Sequence, residues 1–225
     1  MSELSAFSPI GGTLVPFSGK FNGNGHTISN IKINGTSKSG LFASLYNAEI
    51  SNLTISSAQI NAKGLYSAIL AGQITGNTKL SGITITDSKV ISDGLYSGIV
   101  AGSINSGSID VSDISIDNCS VISKANYVGT FAGYASCDGQ VTNVNIADTT
   151  VNGAEYVAGV VGLAEGKLAV KSVTADGMKI KGVSEVSGVA AGKGEVSIAN
   201  VNVVSSEVET VSYTHLRAHE TLSDL

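Results

Sequence analysis

Charge is scarce in this chain. Only 14% of its 225 residues are charged, against about a quarter in an ordinary globular protein. A net charge of −5 leaves no basic footprint for nucleic acid or an anionic lipid surface. No apolar run approaches the length of a membrane span, so no membrane insertion is expected. Proline occurs only twice, and the cysteines are Cys119 and Cys137 alone. Two cysteines eighteen positions apart make neither a metal motif nor a disulfide framework. Cys119 stands where neighbouring repeats carry Ala58, Ser88 and Thr149, which predicts a small buried filler. The opening stretch MSELSAFSP also lacks the basic start, apolar stretch and cleavage site of a signal peptide.

Glycine is abundant, with 27 residues, and 42% of the chain is hydrophobic. Enough apolar surface exists for a core, which argues against disorder. Glycine and asparagine turns with almost no proline suit a β-rich protein.

Self-similarity carries the fold. The tripeptide LAG at 70–72 recurs as VAG (100–102), FAG (131–133), VVG (160–162) and AAG (190–192), at intervals of 30, 31, 29 and 30. ISNLTI from Ile50 recurs from Leu80, Val111, Val141, Val170 and Ile198, at intervals of 30, 31, 30, 29 and 28. A lone aliphatic residue keeps the same beat at Ile60, Val90, Val121, Val151, Ile180 and Val208. Three anchors on one period identify a repeat protein.

Each unit holds three short β-like pieces. Leu53 and Ile55 alternate with Thr54, the period of a strand with one buried face. Ile50 is out of phase with Leu53 unless the chain bends at the residue between. That residue is Asn30, Asn52, Gly82, Asp113, Asn143, Ser172 and Asn200 in successive units. Asn, Asp and Gly tolerate a left-handed backbone best, so a corner is predicted there. Stacking like pieces gives parallel sheets wound around a shared core, which no unit could bury alone. The expected fold is all-β, a right-handed parallel β-helix (a β-solenoid) of about 30 residues per coil. Six to seven coils at about 4.8 Å each would make a rod about 30 Å long.

The segment GLYSAILAG (64–72) returns as GLYSGIVAG (94–102). Alternation places Tyr66, Ala68, Leu70, Gly72 and Ile74 on one face, read as inward, and Ser67, Ile69, Ala71 and Gln73 on the other. The aromatic recurs as Phe42, Tyr66, Tyr96, Tyr127 and Tyr156, then lapses to Val186. Because Phe42 has no hydroxyl, core packing is favoured over a tyrosine binding strip.

The stretch FSPIGGTLVPFSGKFNGNGHTISNIKI (7–33), followed by SGLFASL (39–45), resembles the opening of GLUG-motif repeat proteins. The family pattern carries Asp where Asn22 stands, and Gly where Ala43 stands. These are secreted or surface-attached bacterial proteins, often adhesin-like. The resemblance covers about residues 7–208 and implies a parallel β-helix in an extracellular or cell-surface setting, without implying a ligand. The tail VSYTHLRAHETLSDL resembles a peptide recurring at the ends of metagenome-derived sequences, a translation of adapter or primer DNA. It holds the only arginine, Arg217, and the pair His215 and His219, whose spacing could ligate a metal on a helix. It is read as non-native, and the chain is then expected to stop mid-repeat. The domain reading is 1–20 as lead-in and cap, 21–210 as β-helix repeats, and 211–225 as non-native or disordered tail.

Candidate chemistry is thin. FNGNGH (21–26) lacks the Lys-Ser/Thr partner of a phosphate loop and reads as a turn that starts the coil. His26 has no Ser–carboxylate or Cys partner in sequence and reads as a cap for the first coil. Asp110, Asp113 and Asp117 form the densest acidic group. Strand alternation puts Asp113 at a corner and Asp117 outward with Ser115, so no shared cleft for glycoside cleavage or calcium is evident. Lys63, Lys124 and Lys181 fall in scattered turns, which disfavours a lyase. An ice-binding array begins at Thr54/Ser56 and Thr84/Thr86 but ends at Asp117, Asn145 and Ala147.

The expected function is a structural or adhesive stalk with glycan or a host or cell-surface protein as partner. No catalytic residue, metal or cofactor is assigned, and cut ends of the rod would favour end-to-end self-association. The alternative is a carbohydrate-active β-helix, a polysaccharide lyase or hydrolase, with its site outside this chain.

Overall fold

A computed structural model describes residues 7–211. Of the expected tail only Val211 falls within that range; Arg217, His215 and His219 lie outside the described residues, as do the first six positions of the lead-in. The chain is all-β, winding through about seven turns of roughly 29 residues. Its strand pairings are parallel. They form a large sheet of 12 strands, a second of 7 and a third of 6. The parallel β-helix read from the repeats is therefore the fold.

Register follows two of the sequence anchors. Leu80 pairs with Ile50 and Val111, and the column continues through Val141 and Val170 to Ile198. Ile60, Val90, Val121, Val151, Ile180 and Val208 likewise lie one above another in the seven-stranded sheet. The third anchor slips in the last coil. There Ala190, not Ala191, pairs with Val161, and the register shifts by one residue beyond it.

The predicted corner is present. Asn52, Gly82, Asp113, Asn143, Ser172 and Asn200 all have φ between 50° and 61°. Asn30 is left-handed too, but because Ile28 pairs with Ile55 it lies level with Ser57 and belongs to a different column from the one its sequence context suggested. The side chains of Asn52 and Asn143 reach from their coil to the preceding one. Asn52 Nδ2 donates to Asn22 Oδ1 at 3.2 Å, and Asn143 donates to Asp113. A second left-handed column runs through Ser57, Asp87, Asn118, Asp148, Gly177 and Ser205. Immediately after it come the inward residues Ala58, Ser88, Cys119, Thr149 and Met178, all buried. Cys119 is thus the filler its neighbours suggested, and this column also closes the turn. Ser88 and Thr149 donate to the carbonyls two residues back at 2.7 and 2.8 Å, and Cys119 does the same at 3.2 Å. Burial pushes the Cys119 thiol up to about 11 and the Cys137 thiol up to about 12. Both stay protonated and unreactive near neutrality.

Phe7, Ile10, Phe17 and Phe21 pack on the first coil, with Phe17 and Phe21 at 5.2 and 5.5 Å from the Phe42 ring. Across the outer faces, ion pairs join neighbouring coils, such as Lys20–Glu49 at 2.7 Å and Lys124–Asp93 at 2.9 Å. In-register stacking would set like charges against each other; here charge sign alternates between coils instead.

Candidate binding surface: a tyrosine ladder

The six-stranded sheet is built from very short strands, including Lys38–Ser39, Tyr66–Ser67, Tyr96–Ser97 and Val128–Gly129. Here the structure corrects the inward assignment of the tyrosines. Ser67 and Ser97 are fully buried, and Ser67 Oγ bonds to Ser92 Oγ at 2.9 Å and to Ser97 Oγ at 3.1 Å. Tyr66, Tyr96, Tyr127 and Tyr156 point the other way and are half-buried. Alternation failed because the chain turns at 68–70, between the strand Tyr66–Ser67 and the strand Ala71–Thr75. A phase counted through that turn is not conserved.

The turn is tight because the Tyr–Ser strand crosses close over the glycine that follows it. A Cβ placed on Gly102 would lie 2.6 Å from Ser67 N, and one on Gly133 would lie 2.3 Å from Tyr127 O. This explains the invariant last residue of the LAG, VAG, FAG and VVG anchors.

Register also redefines the column. Phe42 is not its foot: it pairs with Ala71 on the large sheet and is fully buried. Lys38 occupies the position beneath Tyr66. At the far end Val186 pairs with Val157, so Glu185 follows Tyr156. The column therefore reads Lys38, Tyr66, Tyr96, Tyr127, Tyr156, Glu185. With Phe42 removed, its lack of a hydroxyl no longer bears on the tyrosines.

The four rings form a continuous stack. Successive centroids are 5.2 Å apart at each of three steps, with interplanar angles of 10°, 16° and 12°. Tyr134, on the neighbouring strand of the large sheet, leans against Tyr96 at 5.4 Å and Tyr127 at 6.0 Å. Its hydroxyl donates to Glu165 Oε2 at 2.6 Å. Lys193 Nζ lies 4.9 Å from the Tyr156 centroid and caps the stack. The facing sides of successive rings are thus covered by one another and the far face of Tyr156 by Lys193, leaving ring edges along the ladder. Among the described residues, the Tyr66, Tyr96 and Tyr127 hydroxyls have no protein hydrogen-bond partner.

Electrostatics follow from this packing. Desolvation, then the neighbouring Tyr66, Tyr127 and Glu165, raises the Tyr96 phenol above its ordinary value. Tyr134 is raised by desolvation and by its bond to Glu165. Lys193 is raised by its contact with Tyr156, and Lys38 is lowered by burial. Tyr96 and Tyr134 are therefore held neutral, as hydrogen-bonding groups, at physiological pH.

Tyr127 and Tyr156 hold their rings in line from a left-handed backbone, with φ of 63° and 54°. For bulky residues this costs about 1–3 kcal/mol each. Offset stacking contributes about 0.5–1.5 kcal/mol per pair beyond area burial. The next residue of the column, Glu185, has the same conformation with φ of 52°, so the left-handed backbone belongs to the turn of the coil and not to the rings.

The other sequence candidates are dispersed. His26 is exposed, in the turn where its N–H bonds to Gly23 O at 2.8 Å. Asp113 is at its corner, bonded to Asn143, and Asp110 accepts from Gln140 Nε2 at 3.1 Å. Asp117 is exposed on the outer face, as alternation predicted. Lys181 is not in a turn: it lies in the strand Lys179–Gly182 and pairs with Glu209 at 3.0 Å. Among the described residues no three His, Cys, Asp or Glu side chains are arranged to hold a metal ion.

Sequence reasoning missed Lys38, Tyr134, Glu165 and Lys193 as parts of this surface. For the column itself a signal existed. Val128 and Val157 follow Tyr127 and Tyr156 directly; an aliphatic there must face the core, which turns the tyrosine outward. Compared with known proteins, the chain matches no family model, no curated protein and no solved structure.

Proposed function

We propose that this protein is a structural and adhesive rod of a bacterial cell-surface or secreted protein, and that the tyrosine ladder is its contact surface for glycan. The observation that carries this reading is the row of half-buried, stacked tyrosines in which, among the described residues, the hydroxyls of Tyr66, Tyr96 and Tyr127 lack protein partners. Tyrosine presents rigid apolar area with a polar tip, which suits recognition at a wet surface. The resemblance of residues 7–45 to GLUG-motif repeats supports the extracellular setting.

A rigid scaffold keeps such a surface pre-organised, which lowers the ordering cost of binding. The test is a glycan array probed with residues 1–211 and, in parallel, with the Tyr96→Ala/Tyr127→Ala variant. Retention of one or more glycans by the parent, lost in the variant at unchanged circular dichroism, supports the reading. No retention at all, or equal retention by both proteins, sinks it.

A further inference from the structure

We propose that the ladder takes an extended β-1,4-linked hexose polymer lying along the rod axis, one sugar unit per coil. This deepens the reading above and rests on it. The ladder offers the same contact at every coil, 5.2 Å apart in each of three steps. That spacing is imposed by hydrogen-bonded parallel strands, which lie about 4.8 Å apart. A polymer that stays in step with successive tyrosines must advance by the same distance per unit.

Few polymers do. An extended peptide advances about 3.3 Å per residue, or about 6.6 Å between side chains on one side, and falls out of step within two coils. A nucleic acid strand brings a phosphate charge per unit toward a protein of net charge −5. An extended β-1,4-linked hexose chain is a flat ribbon whose pyranose rings advance by close to one coil spacing each. It remains in step along the whole ladder, whereas α-1,4- and β-1,3-linked glucans curl away from a straight row.

Contact chemistry agrees with the spacing. The usual stacking of a pyranose on an aromatic face is closed along the inner ladder, because the facing sides of successive rings cover one another. Ring edges remain, which carry partial positive charge and suit sugar oxygens. Beside them stand the hydroxyls of Tyr66, Tyr96 and Tyr127. Successive units of an extended β-1,4 chain are turned by about half a revolution; a phenol both donates and accepts, so it can meet either edge, and the pattern of bonds repeats at every second coil. At the last ring a pocket of about 220 Å³, lined by Tyr156, Leu163, Glu185 and Lys193 among others, receives the chain end.

The experiment uses residues 1–211 with defined oligosaccharides: cellohexaose and mannohexaose as β-1,4 chains, maltohexaose and laminarihexaose as the curled controls. Binding is read by calorimetry and by tyrosine fluorescence, which no tryptophan obscures. The β-1,4 hexaoses are expected to bind about tenfold tighter or more than either control. Across the cello-oligosaccharide series, affinity should climb from the disaccharide to the tetrasaccharide and then level off, because the ladder has four rings. The variant Tyr66→Phe/Tyr96→Phe/Tyr127→Phe/Tyr156→Phe keeps the stack and should lose about tenfold or more. Equal binding of all four hexaoses, affinity indifferent to length, or full binding by the phenylalanine variant overturns the proposal. Glycan retention on the array without β-1,4 preference leaves the adhesive reading standing and removes only this one.

Discussion

At the scale of single residues, Thr130 is the clearest misfit. It occupies a buried column whose earlier members are Leu41, Ile69 and Ile99, linked coil to coil through their backbone N–H and carbonyl groups. Its hydroxyl is buried with no hydrogen-bond partner among the described residues. Replacing it with valine keeps the shape and removes the desolvated oxygen. Thr130→Val should therefore raise stability by about 1 kcal/mol, seen as a higher urea midpoint at constant m-value; a lower midpoint would show that the hydroxyl has a partner. Among the described residues the other buried side-chain polar atoms have partners. In the early coils Ser67, Ser92 and Ser97 satisfy one another. In later coils valine takes the place of Ser67 and Ser97, and Gly153 faces it. A Cβ on Gly153 would come 2.6 Å from Val128 Cγ2, so the larger side chain fits only because its neighbour has none.

At the scale of elements, the short Tyr–Ser strand and its turn decide the surface. Gly133→Ala drives a methyl into the Tyr127 carbonyl and the Ser97 N–H, both fixed backbone atoms. It should cost about 3 kcal/mol in urea unfolding, whereas Gly188→Ala, with nothing within 4 Å of the added methyl, should be near neutral. Similar losses at both sites would show that the close crossing is not what requires glycine. Much of the architecture was legible beforehand. The period sets which residues stack, and the inward columns from Ile50 and Ile60 follow from it with correct register. The corner at Asn52 was legible too, since a phase break and a left-handed residue type coincide there. The second bend, at 68–70, was not. Its residues are small or aliphatic and uniformly buried, so neither composition nor alternation marks it, and the tyrosines were turned the wrong way. Phe42 then entered the wrong column because aromatic identity was matched where only strand register could assign it. Tyr134, Glu165 and Lys193 belong to other strands or loops of neighbouring coils, and no spacing rule connects them to Tyr96 or Tyr156.

At the scale of the whole molecule, each coil touches only its neighbours, so stability is close to a sum of coil and interface contributions. Released coils are also nearly equal in length, roughly 29 residues each. Held at its ends and stretched, the rod should lengthen in uniform steps of about 100 Å, from about 3.4 Å per residue. Single-molecule force spectroscopy would register a series of even increments; one large event instead would mean that the coils fail together. The hydrogen bonds of parallel sheets here run along the rod, not across it, so tension peels coils away one after another. A ligand laid over Tyr66, Tyr96, Tyr127 and Tyr156 would bridge four consecutive coils like a splint. Whatever the ladder grips would thereby reinforce the tether that holds it, and a loaded rod would resist unravelling better than an empty one.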